Sequence, residues 1–303
     1  MQNLKDKVAV VFAATGEIAG AVARSFARHG AKVYVTARNL DGAQKLADEL
    51  NAAAATGATG PTDATGATVP ADATGATLPA AATAATRPAA AIAEAAKVDA
   101  LNEAEIDSFL KKVVADNGKL NIVFNGIAVN YSEMGGRPAA TEASFEHFMA
   151  PMGKIVGSQF LTSRVAAKYM IQTRTEGTIL LLTAAASRSK IPNLVGFSAA
   201  CAAVEAITRV MAAEWGAEGI KVTCICSGAL METKRISGWI ESASKNYGIP
   251  VEQIVTQYKA FDILKTSPTL LQLGETAAFL ASETGVAFNS HIVDVDCGKL
   301  NIL

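Results

Sequence analysis

The chain has 303 residues, half of them hydrophobic, and its 28 acidic residues against 27 Lys and Arg leave a net charge of −1. A chain of this length and apolar content can bury a large core, and so small a net charge gives no electrostatic basis for binding nucleic acid or a membrane surface. No apolar run approaches the ~20 residues that span a bilayer, and the N-terminal segment lacks a signal-peptide pattern, so we expect a cytoplasmic protein.

Along the chain, seven apolar segments alternate with segments of helical periodicity. This rhythm predicts a parallel sheet covered by helices on both faces, the doubly wound α/β (Rossmann) architecture. In the first helix Ile18, Val22 and Phe26 recur on one face, and Gly30 follows at the left-handed cap position. We interpret His29, at the end of this helix, as a helix-end cation and not a catalyst. The predicted strands are 8–12, 32–36, 95–98, 120–125, 178–182, 221–226 and 291–295.

Between Ala55 and Ala90 the chain repeats a nine-residue unit four times, as ATGATGPTD, ATGATVPAD, ATGATLPAA and ATAATRPAA. The units hold few large apolar side chains, and a Pro in each opposes a continuous helix or a central strand. We interpret the repeat as a flexible surface insertion, with a partner-binding or solenoid-like segment as the alternative. The 267 residues that remain without it fit one domain, so we predict a single domain with an insertion at 55–90.

The four cysteines do not have the pattern of a secreted disulfide framework, and we expect free thiols. Cys224 and Cys226 have the spacing of a metal pair, but both lie in an apolar predicted strand with no nearby Cys or His to complete a tetrahedral set. We therefore predict that both are buried structural residues and that there is no metal site.

The segment 177–235 carries most of the functional information. A predicted strand ends at Thr183-Ala184, and Phe197-Ser-Ala-Ala-Cys201 follows at the start of a long helix. This order resembles the short-chain dehydrogenase/reductase family, in which a strand ends in a serine and Tyr-x-x-x-Lys follows about a dozen residues later. The resemblance places Ala184 at the serine, Phe197 at the tyrosine and Cys201 at the lysine.

The resemblance implies an oxidoreductase without its catalytic side chains. In the family the tyrosine hydroxyl exchanges a proton with the substrate as hydride moves to or from a nicotinamide, and a phenyl ring has no proton to exchange. A thiol and a methyl group replace the lysine and the serine, and the alignment puts Ile155 at the position of the family's helical asparagine. Since removing every member of a catalytic unit leaves only binding and orientation, we expect no standard carbonyl reduction.

Nucleotide binding depends on the first strand-to-helix turn. The family has Thr-Gly-x-x-x-Gly-x-Gly there, and its glycines let the backbone approach a pyrophosphate. An ungapped alignment puts Ala13, Glu17 and Ala19 at the three glycine positions, which takes up room and adds a negative charge. Gly16 and Gly20 allow a shifted version of the turn.

Other cofactor features of the family are better preserved. Arg38 resembles the basic residue that holds a 2′-phosphate, which favours NADP(H), and a solvated strand-end arginine is the alternative. Val98-Asp99 resembles the pair that contacts adenine, with Asp99 as a cap of the next helix as the alternative. Asn125-Gly-Ile-Ala resembles the family's Asn-Asn-Ala-Gly turn. The candidate cofactor contacts are Thr15, Gly16, Ile18, Arg38, Val98, Asp99 and Asn125.

We expect a helical flap at about 231–264 over a cleft that takes a small-molecule ligand, and His147 and His291 away from that cleft. The resemblance implies a homodimer or homotetramer formed through the helices at 145–170 and 197–215. Three functions stay open: a divergent NADP(H) oxidoreductase, a noncatalytic nucleotide-binding or scaffolding protein, and a nicotinamide-independent isomerase or lyase. A divergent enzyme would use other groups near the cleft, such as Tyr131, Ser187, Lys190 or Ser198.

Overall fold

The computed structural model describes residues 3–56, 92–260 and 262–298. Seven strands form one sheet in the order β3-β2-β1-β4-β5-β6-β7, and every neighbouring pair is parallel. The predicted doubly wound α/β fold is therefore confirmed, and the ends of the seven predicted strands differ from the observed ones by at most two residues. The strands are β1 (Val8–Phe12), β2 (Lys32–Ala37), β3 (Ala93–Lys97), β4 (Ile122–Asn125), β5 (Gly177–Ala184), β6 (Ile220–Ser227) and β7 (Ile292–Val295).

Helices cover both faces of the sheet because side chains alternate along each strand. On β1, Ala9 and Val11 belong to the apolar core on one face, while Val10 and Phe12 belong to the core on the other. The helices are α1 (Glu17–Arg28), α2 (Leu40–Ala55), α3 (Glu103–Asn117), α4 (Phe145–Pro151), α5 (Gly157–Gln172), α6 (Val195–Trp215), α7 (Lys234–Tyr247), α8 (Val251–Ala260) and α9 (Leu270–Ala281). Helices α1, α2 and α9 pack on the first face, and α3, α5 and α6 on the second.

The predicted flap corresponds to α7 and α8, which have a small apolar core of their own. Ile240 and Ala243 on α7 pack with Ile254 on α8, and the rings of Trp239 and Tyr258 meet edge to face with centroids 6.1 Å apart. The flap helices are therefore held together by their own side chains.

The repeat lies between α2 and β3. Apart from Ala55 and Thr56 at the end of α2, it lies outside the described residues. The chain on either side is tied together by Asn51, whose side-chain oxygen accepts hydrogen bonds from the backbone N–H groups of Ile92 and Ala93, both at 2.9 Å. The Asn51 amide also donates to the Ala93 carbonyl at 2.9 Å.

His29 caps the C-terminal end of α1 and joins this helix to α9, as expected for a structural histidine. Its Nε2 lies 2.8 Å from Oε2 of Glu275, and the Arg28 guanidinium lies 2.6 Å from Oε1 of the same carboxylate. Burial raises the pKa of Glu275, but the hydrogen bonds from His29, Arg28 and Ser25 outweigh burial and hold that pKa below its ordinary value. The Glu275 carboxylate is therefore charged at neutral pH, and its ion pair with Arg28 stabilises the α1–α9 contact.

One helical stretch in the described part of the chain, residues 195–218, is long and apolar enough to cross a membrane by length and composition. The expectation from the sequence that no apolar stretch is long enough to span a bilayer is therefore wrong. The stretch was missed because charged residues such as Glu205 and Arg209 interrupt its apolar residues. In the fold this stretch is α6 with the turn that follows, and it packs against β5 and β6 with Cys201 and Val204 buried.

Candidate functional site

The candidate site lies at the edge where the carboxyl ends of the parallel strands meet. The strand order reverses between β1 and β4, and in doubly wound folds a crevice opens at such a switch point. The turn after β1, Arg38 after β2, Val98 after β3 and Asn125 at the end of β4 all lie along this edge.

The turn after β1 keeps the backbone shape that a glycine would favour. Ala13 has φ +55°, in the left-handed region that costs a non-glycine residue roughly 1–2 kcal/mol. The Gly16 N–H donates to the Ala13 carbonyl at 2.9 Å, and α1 begins one residue later. The backbone thus makes a left-handed turn here although the residue is an alanine and not a glycine.

The Ala19 methyl lies against Gly126, in the loop after β4. A Cβ built on Gly126 would lie 2.6 Å from the Cβ of Ala19, so the alanine methyl fills the space that a side chain at 126 would need. The glycine missing from α1 is compensated by a glycine after β4.

Glu17 places a carboxylate between the N-termini of two helices. It is the first residue of α1, and its Oε2 and Oε1 accept hydrogen bonds from the N–H of Lys234, the first residue of α7, at 3.0 and 3.2 Å. Helix N-termini attract anions through their free N–H groups and dipole. The negative charge predicted at this turn is therefore present, and it also joins the turn to the flap.

The ends of β2 and β3 bring three predicted cofactor residues together. The Val98 N–H donates to the Ala37 carbonyl at 3.0 Å, which sets Val98 and Asp99 beside Arg38. Arg38 is exposed, whereas Val98 is buried. The alternative role of Asp99 as a helix cap is wrong: the α3 cap is Asn102, which accepts from the N–H groups of Ala104 and Glu105.

Asn125 lies buried at the base of the crevice, where its side chain is held by hydrogen bonds. It is 2% exposed, and its side chain donates to Thr162 Oγ1 at 3.0 Å and accepts from the Ile127 N–H at 2.9 Å. The exposed predicted contacts at the turn are Thr15 and Gly16, and Ile18 is half-buried against the core of α1.

The three positions that match the catalytic residues lie together at the β5–α6 junction. Ala184 ends β5, Phe197 lies in the first turn of α6, and Cys201 lies one turn further on and is 1% exposed. Burial raises the pKa of the Cys201 thiol above its ordinary value, and the Thr183 hydroxyl and the Arg235 guanidinium lower it only in part. The thiol is therefore uncharged at neutral pH, and none of the three side chains can exchange a proton as a tyrosine would.

The structure adds a residue that the sequence analysis did not single out, Arg235 in the first turn of α7. Its guanidinium carbon lies 4.6 Å from the ring centroid of Tyr131 and 4.7 Å from that of Phe197. Its Nη1 donates to the Val129 carbonyl at 3.1 Å. A phenyl ring at the tyrosine position has a π face to which a cation can bind. Phe197 was therefore the signal in the sequence that could have suggested a nearby cation such as Arg235.

A small apolar pocket that opens to solvent adjoins Phe197; the space within it is about 300 Å³ only when the open solvent at its mouth is included. Its wall includes His147, which the sequence analysis placed away from the cleft; that expectation is wrong. Gly135 makes the position accessible, because a Cβ there would lie 2.4 Å from Nδ1 of His147. The main lining residues are Met134, His147, Phe148, Leu194, Gly196 and Phe197.

Two of the four other groups proposed for a divergent enzyme contact side chains of the fold. Ser187 donates to the Glu205 carboxylate, and Tyr131 lies under Arg235. Lys190 is exposed and Ser198 is half-buried.

The helix before β5 supplies no free amide at the family's asparagine position. Ile155 is buried there in a π-helical turn, residues 152–156. The nearby Gln159 exchanges two hydrogen bonds of 2.8 Å with the backbone of Leu182 on β5. Its amide therefore holds α5 to the sheet.

Within the described residues, no group of three His, Cys, Asp or Glu side chains could hold a metal ion. Cys224 and Cys226 are buried in β6 as predicted. Burial raises the pKa of Cys226 to about 12, with the nearby Asp294 carboxylate adding to the shift. These thiols are therefore neutral core residues.

Comparisons with known proteins agree with this geometry. A family model described as enoyl-(acyl carrier protein) reductase matches residues 55–299. The uncharacterized oxidoreductase YuxG of Bacillus subtilis is 25% identical over 294 residues, which cover 96% of this chain and 37% of YuxG. The enoyl-[acyl-carrier-protein] reductase [NADH] FabI of Haemophilus influenzae is 33% identical over 120 residues, 40% of this chain and 42% of FabI. The matched regions thus span less than half the length of these two relatives.

Among solved structures, an actinorhodin polyketide ketoreductase variant with NADPH superposes with a TM-score of 0.76. The two chains are 20% identical, and the superposition covers 100% of this chain and 99% of the ketoreductase. At this identity the likeness shows that the two chains share a fold.

Proposed function

The chain belongs to the short-chain dehydrogenase/reductase family of oxidoreductases, in the group described as enoyl-(acyl carrier protein) reductase, and from this premise we propose a function for it. It binds NADP(H) at the carboxyl edge of the sheet and acts without the family's tyrosine-dependent proton transfer. A nicotinamide, when bound, would supply or accept hydride.

A single observation supports the second half of the proposal, namely the contact of Arg235 with the ring of Phe197 at 4.7 Å. Where the family has a proton donor, this chain has a phenyl ring beneath a guanidinium. The neighbouring Cys201 is neutral because it is buried. The chemistry at this point is therefore that of a fixed cation and not of an acid or base.

Most of the residues along the edge fit a dinucleotide. The left-handed turn at Ala13 exposes Thr15 and Gly16 at the N-terminus of α1, where a diphosphate would bind. Arg38 is exposed beside Asp99 and would hold a 2′-phosphate, which favours NADP(H) over NAD(H). Glu17 is the exception, and a diphosphate would fit only after its carboxylate leaves the Lys234 N–H.

Thermal unfolding with NADPH, NADP⁺ and NADH tests the proposal. A ligand that binds only the native state stabilises it by about 2.7 kcal/mol at 100 times its Kd, so we expect Tm to rise most with NADPH. The substitution Arg38→Ala should abolish the preference for NADPH over NADH. The absence of any shift at millimolar NADPH would contradict nucleotide binding.

A turnover assay tests the other half of the proposal. With NADPH and a panel of simple ketones, we expect no steady NADPH consumption, because Ala184 and Phe197 carry no proton to give and the Cys201 thiol is buried, with 1% of its surface exposed. Consumption that survives both Cys201→Ala and Phe197→Ala would show that a proton donor outside these three positions acts in the cleft. Steady consumption of a simple ketone by the unaltered protein would contradict the absence of standard reduction.

A further inference from the structure

We propose that Glu17 is a positioning residue for Arg235. Its carboxylate caps the first turn of α7 and so holds the Arg235 guanidinium against Phe197, and a diphosphate bound at the same helix ends takes over this role. The identity of that ligand rests on the proposed function, whereas the positioning by Glu17 requires no nucleotide.

Glu17 binds α7 at the residue before Arg235. Its two carboxylate oxygens accept from the Lys234 N–H at 3.0 and 3.2 Å, and Arg235 is the next residue in the chain. Neighbouring Cα atoms are about 3.8 Å apart, so a displacement of the Lys234 N–H moves the backbone that carries the Arg235 side chain. The contact therefore joins the turn after β1 to the position that matches the family's tyrosine.

Helix α7 lacks an N-terminal cap of its own. Thr233, the residue at the cap position, makes no side-chain hydrogen bond to the helix, and its hydroxyl donates to the Leu230 carbonyl at 2.8 Å instead. The first N–H groups of a helix have no partner within the helix, and an acceptor from outside stabilises the first turn. Glu17 supplies such an acceptor from α1, so its loss would let the turn that contains Arg235 fray.

Three modest contacts locate the Arg235 guanidinium. Its carbon lies 4.6 Å from the ring centroid of Tyr131 and 4.7 Å from that of Phe197. Its Nη1 donates to the Val129 carbonyl at 3.1 Å. Since each contact of this kind contributes little by itself, the place of the guanidinium depends on where the first turn of α7 holds its backbone.

The apolar core of the flap does not fix that backbone against Phe197. In the described part of the chain this core is built on Ile240, Ala243 and Ile254, and it is separate from the two cores on the sheet. It therefore fixes α7 relative to α8, and the polar contact with Glu17 is what fixes the first turn relative to α1.

A diphosphate has the chemistry to replace the Glu17 carboxylate. The N-termini of α1 and α7 meet at this side chain, and phosphate oxygens accept from helix-end N–H groups as carboxylate oxygens do. When a diphosphate displaces Glu17 from the Lys234 N–H, one acceptor replaces another. The first turn of α7 then stays capped, and Arg235 stays against Phe197.

Modification of arginines by phenylglyoxal, followed by mass spectrometry of the full chain, measures how firmly Arg235 is held. We expect Arg235 of the wild type to react more slowly than the exposed Arg209 on α6. Glu17→Ala should raise the rate at Arg235 by at least about threefold, because a cap of the first turn is lost. Arg24 is the internal control, since it lies on the same helix as Glu17 but is held by Glu49 at 2.6 Å.

Two further arms separate a cap from a general effect of the substitution. Glu17→Gln keeps an acceptor oxygen and should leave Arg235 nearly as slow to react as in wild type. Inorganic pyrophosphate, which is too small to cover Arg235 as well, should restore slow modification in Glu17→Ala, and sodium chloride at the same ionic strength should not. Glu252→Ala on the exposed face of α8 is the matched control and should change nothing.

An unchanged rate at Arg235 in Glu17→Ala, or an equal rise at Arg24 and Arg235, would overturn the positioning role. Pyrophosphate without effect on Glu17→Ala would overturn the replacement of the carboxylate by a diphosphate. NADPH that raises Tm while Arg235 stays slow to react in Glu17→Ala would leave nucleotide binding standing and remove the role of Glu17. Faster modification in Glu17→Ala with no Tm shift by NADPH would support that role and contradict nucleotide binding.

Discussion

At the residue scale, Lys221 shows how burial changes the pKa of a charged side chain. It lies in β6, is 7% exposed, and its Nζ donates to the Ser282 carbonyl at 3.2 Å. Burial lowers the pKa of Lys221 to about 8, and the charge of Lys7 adds to the shift. Since its pKa in the unfolded chain is near 10.4, the unfolded state binds more protons between these two values.

This difference predicts a rise in stability with pH. The contribution of Lys221 to the free energy of unfolding is fully present above about pH 10.4 and is lost as pH falls through about 8, a penalty of about 3 kcal/mol at neutral pH. We expect Lys221→Met to be more stable than wild type near pH 7 and the advantage to vanish near pH 10. Urea unfolding at both pH values measures it.

The exposed Lys45→Met on α2 is the control for Lys221→Met and should change neither value. A Lys221→Met protein whose difference from wild type is the same at both pH values would show that the fold does not lower the pKa of Lys221.

The residue scale also shows where sequence reasoning stopped. Ala184, Phe197 and Cys201 could be aligned because they follow one strand and one helix in order. The phenyl ring at 197 indicated a surface for a cation but did not identify Arg235, because the partners Tyr131 and Phe197 are about 100 and 40 residues away from it in sequence.

At the element scale, the contact between α1 and α7 lies at the proposed nucleotide site. Glu17 on α1 accepts from the Lys234 N–H on α7 at 3.0 Å, and its negative charge would repel a diphosphate at the same helix end. We expect Glu17→Gln, which removes the charge and keeps the size, to enlarge the Tm shift produced by NADPH. Differential scanning fluorimetry across NADPH concentrations gives the affinity.

Glu252→Gln, on the exposed face of α8, is the matched control for Glu17→Gln. A smaller NADPH shift in Glu17→Gln than in wild type would mean that the carboxylate organises the crevice instead of closing it.

Strands were predicted well because both faces of the sheet are covered, which leaves nearly continuous apolar runs such as Val8–Phe12. Less could be predicted where a larger residue on one element is matched by a smaller residue on another. Ala19 looked like a lost glycine until its methyl was found against Gly126, and the π-helical turn that buries Ile155 has no sequence signal of its own.

At the scale of the whole molecule, removing the repeat tests whether the chain is one domain with an insertion. Asn51 ties the end of α2 to Ile92 and Ala93 at the start of β3, so the fold on either side of the repeat is held without it. We expect replacement of residues 57–91 by a six-residue Gly-Ser linker to keep a single cooperative melt. Because loop-closure entropy grows with chain length, shortening the connection from 35 residues to about six should raise the free energy of unfolding by about 1.5 kcal/mol. A melt that loses cooperativity would show that the repeat contributes to the core.

The exposed apolar residues on the outward face of α6 indicate that copies of the chain associate through this helix. The helix is apolar on both sides: Cys201 and Val204 face the sheet, while Val195 is 45% and Val210 is 57% exposed. The same composition lets this stretch pass as a membrane span, but its inner side is already covered by β5 and β6. A second copy of the chain that packs α6 against α6 would cover the outer side.

We therefore expect a homodimer or homotetramer by size-exclusion chromatography with light scattering, and a shift to monomer in Val210→Glu, because a carboxylate at the centre of an apolar helix contact would be buried without a partner. Val286→Glu is the matched control, since Val286 is 67% exposed but lies in a turn after α9. A monomeric wild type would contradict the assembly. Co-sedimentation of wild type, but not Val210→Glu, with neutral phosphatidylcholine vesicles would assign the same face to a lipid surface, since the two occupants compete for one apolar stripe.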